Sequence, residues 1–190
     1  MATQKTLTDF KSALKGGGAR PNLFEVSIST PNDLTTKLST TEFLVLCKAA
    51  NLPASNVASI DVPFRGRIFK VAGDRTFDTW QITVINDTDF AIRKIMEDWM
   101  QHIAQYKDAS GAASPGDYMT NATVTQLKRQ KSDLTKTSTK GVEDDVKYQF
   151  EDIFPTNISA IDLSFDTSDT IEEFTVEFQV NYWYPVVKTN

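Results

Sequence analysis

Between Val71 and Asn86 the chain carries its best strand, and the helix-like run that follows reaches about Ala104. Trp80, Ile82 and Val84 fall on one face and Thr79, Gln81 and Thr83 on the other, because strand side chains alternate with period two. Such a strand is antiparallel, buried on one side and wet on the other. Asn86, Asp87 and Thr88 offer helix-capping side chains, after which Ile92, Ile95, Met96, Trp99 and Ile103 recur at helical spacing opposite Arg93, Lys94, Glu97, Asp98 and Gln101. These residues call for a sheet with one amphipathic helix laid against it.

The rest of the chain supplies more strands. Phe24, Val26 and Ile28 alternate with Glu25, Ser27 and Ser29, and the continuously apolar run Phe43 to Cys47 reads as a strand covered on both faces. Residues 57–63 form a short piece before Phe64 to Val71, in which Arg65 and Arg67 share a face. Residues 108–117 are loop, 119–130 alternate weakly, and Val146, Tyr148 and Phe150 resume a strand that Pro155 breaks. Ile161, Leu163 and Phe165 suggest another strand. The last is the cleanest: Phe174, Val176, Phe178, Val180 and Tyr182 face the core, while Glu173, Thr175, Glu177, Gln179 and Asn181 face water. Seven or eight short strands with one helix and no βαβ rhythm predict a mainly β fold, an antiparallel sandwich or barrel with a flanking helix.

Two segments bury nothing by pattern. Residues 1–21 read as a flexible N-terminal arm with a possible short helix from Leu7 to Leu14, ended by Gly16, Gly17 and Gly18. Lys15 beside those glycines lacks the Gly-Lys-Ser/Thr ending of a phosphate loop. Residues 131–145 are Lys, Thr, Ser, Asp, Glu and Gly apart from two apolar residues, and predict a mobile excursion. Between these, residues 22–184 form a single β-domain, and 185–190 a C-terminal tail.

Chemistry is hard to find. His102, the one histidine, stands on the helix without a second ligand at metal-binding spacing, and no Ser-His nucleophile signature is present. The carboxylate pairs Asp74 with Asp78 and Glu173 with Glu177 are explained by turn capping or a solvated strand face, and Glu143-Asp144-Asp145 lacks the ligand spacing of a calcium loop. The Asp74-Arg75 pair reads as an ion pair fixing a turn. Cys47 sits in an apolar run and reads as a small buried hydrophobe. No cofactor or metal is expected. A net charge of −5 argues against a protein that grips nucleic acid, and no apolar stretch reaches the roughly 20 residues of a membrane span.

Three separated stretches resemble the tail tube proteins of contractile-tail bacteriophages. They are Ala72 to Asp87 with the helix ending in Asp98-Trp99; Ala19-Arg20-Pro21-Asn22-Leu23-Phe24-Glu25-Val26; and Phe154-Pro155-Thr156-Asn157-Ile158 leading through Phe165-Asp166 to Phe174-Thr175-Val176 and Tyr182-Trp183. Their order and spacing cover most of residues 19–183. The resemblance implies a structural virion protein, not an enzyme, that joins into hexameric rings stacked as the inner tail tube. Its implied partners are further copies of itself, the tail sheath, a baseplate hub, a tail terminator, and DNA passing through the lumen without specific binding. The implied location is the virion tail, assembled in the host bacterial cytoplasm, with no membrane insertion. Under this reading Glu173, Thr175, Glu177, Gln179 and Asn181 line the lumen. Gly16, Gly17, Gly18, Asn51, Pro53, Asp74, Arg75, Lys131, Lys136 and Lys140 are the inter-subunit candidates. Alternatives are the tube of a contractile injection or type VI secretion machine carrying effector proteins, and a carbohydrate-active or carbohydrate-binding β-sandwich. The chain has additional residues before Phe43, at 131–145 and after Trp183 relative to the shortest family members.

Overall fold

The computed structural model describes residues 6–14, 18–31, 34, 37–108, 110–127, 146–166 and 168–186. Along them run α1 (Leu7–Ala13), β1 (Phe24–Ile28), α2 (Thr40–Leu46), β2 (Cys47–Ala50), β3 (Ser55–Phe64), β4 (Arg67–Phe77), β5 (Trp80–Ile85), α3 (Ala91–Ile103), α4 (Pro115–Tyr118), β6 (Thr120–Gln126), β7 (Val146–Ile158), β8 (Glu173–Gln179) and β9 (Tyr182–Val186). The main sheet has the order β1-β6-β7-β8-β5-β2, wholly antiparallel, with β9 also on β7. Its end strands β1 and β2 do not pair with one another, so the sheet stays open.

One side of the sheet is the core. Trp80, Ile82 and Val84 of β5 and Phe174, Val176 and Phe178 of β8 are buried there with Val26, Val124, Phe150 and Ile153. The apolar stripe of α3, Ile92, Ile95, Met96 and Trp99, packs into it, as periodicity requires. Trp99 meets Phe178 at 5.9 Å between ring centroids and donates its Nε1–H to the Tyr118 carbonyl at 2.7 Å. Arg93 lies on the helix's flank, its guanidinium 5.4 Å from the Phe174 ring centroid and 2.8 Å from Glu97. Of the three capping side chains, Asp87 is the one used. Its Oδ1 accepts from the Ala91 N–H at 2.9 Å, although Phe90, at φ 55°, holds the N-cap position.

Several elements differ from the sequence reading. Residues 40–46 are helix, not strand, because Ser39 caps the Glu42 N–H and the run turns Phe43 into the core, with Leu46 packed against it, while Leu44 and Val45 face outward. Cys47 then begins β2. Pro155 does not end β7: it pairs with Phe178 beside a bulge, and the Thr156 hydroxyl donates to the Glu177 carbonyl at 3.1 Å. Ile161, Leu163 and Phe165 form no strand; they lie in the β7–β8 connection, with Leu163 and Phe165 exposed.

The long C-terminal strand divides at Val180 and Asn181. β8 and β9 nevertheless continue one register along β7, with Gln179 opposite Phe154 and Tyr182 opposite Glu151. At the break stands Asp152, whose φ of 53° turns its backbone left-handed. Parity slips there: Ile153 and Phe150, three residues apart, both point inward, and Trp183 rather than Tyr182 packs against the core. Tyr182 and Tyr184 stack on the outside at 6.3 Å.

The β2–β5 ladder does not stop where the main sheet does. Asn51 N–H donates to the Gln81 carbonyl and Asp78 N–H to the Ala54 carbonyl, after which Ser55 pairs with Phe77 and the ribbon runs on as β3 and β4. At about 3.3 Å per residue, the ten residues of β3 carry it roughly 30 Å from its base. Arg65 and Gly66, at φ 46° and 80°, make the two-residue turn at its tip, where both central residues need positive φ. Arg65 therefore belongs to the turn and shares no strand face with Arg67.

Candidate assembly surface

Pairing puts Ile60 beside Val71, Val62 beside Phe69 and Phe64 beside Arg67 on one side of the ribbon. The other side carries Ser59 with Ala72, Asp61 with Lys70 as an ion pair at 2.7 Å, and Pro63 with Ile68. The first side is an apolar face left uncovered among the described residues, with Ile60, Phe64 and Phe69 53%, 67% and 65% exposed. Alternation of Ile60, Val62 and Phe64 was visible in the sequence. The alternation does not say that these side chains stay exposed, without cover among the described residues.

Asn51 and Pro53 anchor the ribbon's base. Asn51 Oδ1 accepts from the Gln81 N–H at 2.9 Å, its carbonyl accepts from Trp80 Nε1–H at 3.0 Å, and Pro53 is buried. Asp74 and Arg75 are exposed on β4 at the irregularity between the Val57–Arg75 and Ser59–Ala72 pairs. They form neither a turn nor an ion pair with each other among the described residues. Gly73 lets β4 run close to β3 at this spot: a Cβ there would stand 3.1 Å from Ile60 Cγ1 and 3.3 Å from the Ala58 carbonyl, so its neighbours would have to give by a few tenths of an ångström. Gly18 has φ 84°, whereas Gly16, Gly17, Lys131, Lys136 and Lys140 lie outside the described residues.

The wet side of the sheet gathers Glu173, Thr175, Glu177 and Gln179 of β8 beside Gln81 and Thr83 of β5. Glu173 is bound to Lys48 at 2.6 Å, so Glu177 is this row's carboxylate without an ion pair among the described residues. Asn181 falls beyond β8 in the bend, its Nδ2 3.9 Å from Met119 Sδ. At the Glu173 end of these strands, the β7–β8 connection encloses an open cleft of about 610 Å³ lined by Ile161, Asp162, Leu163, Phe165, Ile171 and Glu172 among others.

The reactive groups are placed quietly. Burial pushes the Cys47 thiol up to about 12 from an ordinary 9.0, and its sulfur lies 3.7 Å from the Ala49 carbonyl. His102 Nε2 is buried without a hydrogen-bond partner among the described residues. Among the described residues no cluster of three His, Cys, Asp or Glu is spaced to hold a metal, and no helix is long and apolar enough to cross a membrane.

An open sheet wetted on one face, with a long ribbon that exposes an apolar side thrown out from its end, is the architecture of a structural subunit. The family model for phage tail tube proteins matches residues 19–185, and the chain belongs to that family. Tail tube protein gp19 of Enterobacteria phage T4 is 36% identical over 168 residues, spanning 88% of this chain and 92% of that protein. The tail tube protein of Serratia phage KSP90 is 27% identical over 176 residues, covering 92% and 93%. In fold, the chain is similar to one from the sheath–tube complex of an extracellular contractile injection system in its extended state, with a TM-score of 0.58 at 12% identity over 97% of this chain and 100% of that one. The resemblance drawn from three motifs is thus a family membership, and the mainly antiparallel β fold it implied is the fold observed.

Proposed function

We propose that the protein builds the inner tube of a contractile phage tail by joining into hexameric rings and stacking them, and that the tube conducts DNA. The carrying observation is the exposed apolar face of the β3–β4 ribbon. Covering its five half-exposed apolar side chains stabilises an interface by roughly 1 kcal/mol each, which only matches the lower range of what association costs. One ribbon is therefore too little, and several acting together on a preformed ring are enough. Free strand edges suit the lateral contacts within a ring, because an unpaired ladder is bonded by another strand.

The row Glu173, Thr175, Glu177 and Gln179 is the side we assign to the lumen, where carboxylates repel phosphate and keep DNA from sticking. The sheath, a baseplate hub and a terminator are the partners expected outside and at the two ends, in a virion tail assembled in the bacterial cytoplasm. The structural neighbours from injection systems share the fold, so the DNA cargo rests on the family and not on the shape of the sheet. Concentrated purified protein viewed by negative-stain microscopy tests the reading. Hollow tubes or stacked rings support it; particles that stay monomeric at the highest soluble concentration overturn it.

A further inference from the structure

The two outward features of this subunit stand at opposite ends of the same strands. β5 starts at Trp80, beside the ribbon's base, and ends at Ile85, which pairs with Glu173 at the mouth of the β7–β8 connection. Asn86 fastens that far end, its N–H donating to the Glu172 carbonyl at 2.9 Å and its Nδ2 to Glu172 Oε2 at 3.1 Å. Between ribbon and cleft lies the length of β5.

The two ends also differ in charge. The ribbon carries Arg65, Arg67, Lys70 and Arg75 against Asp61 and Asp74. Lys70 is held by Asp61, whereas Arg65, Arg67 and Arg75 have no ion pair among the described residues. The β7–β8 connection has no Lys or Arg, and carries Asp162, Asp166, Asp169 and Glu172 up to the start of β8. The carboxylates of Asp162, Asp166 and Asp169 have no ion pair among the described residues. Apolar surface matches apolar surface as well. Phe64, Ile68 and Phe69 stand out at one end, and Leu163, Phe165 and Ile171 at the other, Phe165 as exposed as a side chain in an extended chain.

The tip's backbone supports a role for its charge. Position 65 needs a left-handed conformation that Asn, Asp or Gly adopts more cheaply than Arg. An arginine there costs conformational energy, and its guanidinium lies 5.4 Å from the centroid of the neighbouring Phe64 ring with no ion pair among the described residues.

We infer that the basic, apolar tip of one copy's β3–β4 ribbon seats in the acidic cleft of the β7–β8 connection of a second copy. The contact is heterologous, tip to cleft, so each copy keeps a free tip and a free cleft and the contact repeats without closing on itself. This rests on the tube-building reading and assigns the two surfaces by which one ring holds the next.

The test is a charge exchange on the full chain: R65E with R67E in one variant, Asp162→Lys with Asp166→Lys in a second, and all four together in a third. Circular dichroism and melting temperature confirm that each folds as the wild type does, all four positions being exposed. Sedimentation and negative stain then read tube mass. The pairing predicts that each double variant loses about tenfold or more of its tube yield at low salt and that the fourfold variant recovers it, because only complementary charges meet again. Tubes from the double variants at wild-type yield overturn the pairing and leave tube building intact, as does a fourfold variant that stays deficient. A wild type that forms no assembly removes the tube-building reading and the pairing with it.

Discussion

Trp80 stacks on Phe150 with ring centroids 4.8 Å apart and planes inclined by 19°, both side chains wholly buried. The two residues belong to strands that are not neighbours in the sheet: Trp80 lies in β5, and Phe150 in the part of β7 that pairs with β6 and β9. Their contact closes the sheet over its own bend, where Asp152 changes the parity of β7. Trp80 also ties the bend to the ribbon, through Nε1–H to the Asn51 carbonyl. Core and projecting surface are thus one construction, since the side chain that fills the fold also fixes the base of the ribbon.

Phe150→Ala therefore removes a large buried ring and leaves a cavity at the bend, at a cost of about 3–5 kcal/mol. Urea denaturation of dilute protein measures it. Phe165→Ala is the comparison: an exposed ring of the same type changes stability by no more than about 0.5 kcal/mol.

Asp87→Ala removes the acceptor of the Ala91 N–H at the start of α3 and lowers stability by about 1 kcal/mol. Thr88→Ala, at an exposed neighbour of similar capping type, changes it by less than about 0.5 kcal/mol. Equal effects of the two substitutions on the melting temperature would remove Asp87 from the capping role.

Trp80, Ile82 and Val84, and the stripe Ile92 to Trp99, were legible because each shows its apolar face to one neighbour and its polar face to water, and period alone then fixes the element. Phe43 to Cys47 was misread because five apolar residues fit a strand or a helix equally well. The deciding signal was outside the run, in Ser39 followed three residues later by Glu42. Tyr182 was placed inside because nothing in the alternation of Phe174 to Val180 foretells a parity slip caused by Asp152 on the partner strand. The ribbon's apolar face had the pattern of a core strand, and the acidic connection had Leu163 and Phe165 alternating as strand residues would. A single chain's pattern reports that a side chain avoids water, and is silent on whether its cover comes from its own fold or from another copy.

That distinction is measurable on the ribbon. Val62→Ser and Phe69→Ser, on the face shared by these paired residues, leave the unfolding free energy within about 0.5 kcal/mol of wild type while sharply lowering tube yield. A core residue of the same kind behaves oppositely, losing stability before assembly is reached. If the serine variants polymerise like wild type in a sedimentation assay, the ribbon's apolar face is not an assembly surface.

Cys47 is held neutral. With the folded thiol near 12 and the unfolded one near 9.0, the thiolate fraction at pH 8 is about a thousandfold smaller in the folded protein. Labelling by a disulfide reagent is slow in native conditions and becomes fast when denaturant opens the chain. The sign for stability follows: the stabilising contribution is fully present below pH 9.0 and is lost as pH climbs toward 12, because the unfolded chain releases its proton first. Rapid labelling of native protein at pH 8 contradicts this placement.

Glu177 tests the orientation of the tube wall. It lies midway along β8, opposite Gln81 on one side and Asn157 on the other, and, unlike Glu173, has no cation holding it among the described residues. Glu177→Lys therefore reverses a charge on the wet face while disturbing neither the core nor the ribbon. If that face looks into the bore, tails assemble in normal number and length, but every subunit now attracts passing phosphate, so DNA release slows, most of all at low salt where screening is weak. Ejection kinetics read by a DNA-binding dye, at two ionic strengths, separate this from a general loss of infectivity. A salt-independent rate equal to the wild type's moves Glu177 to the outside of the tube, and the acidic row to the surface that meets the sheath.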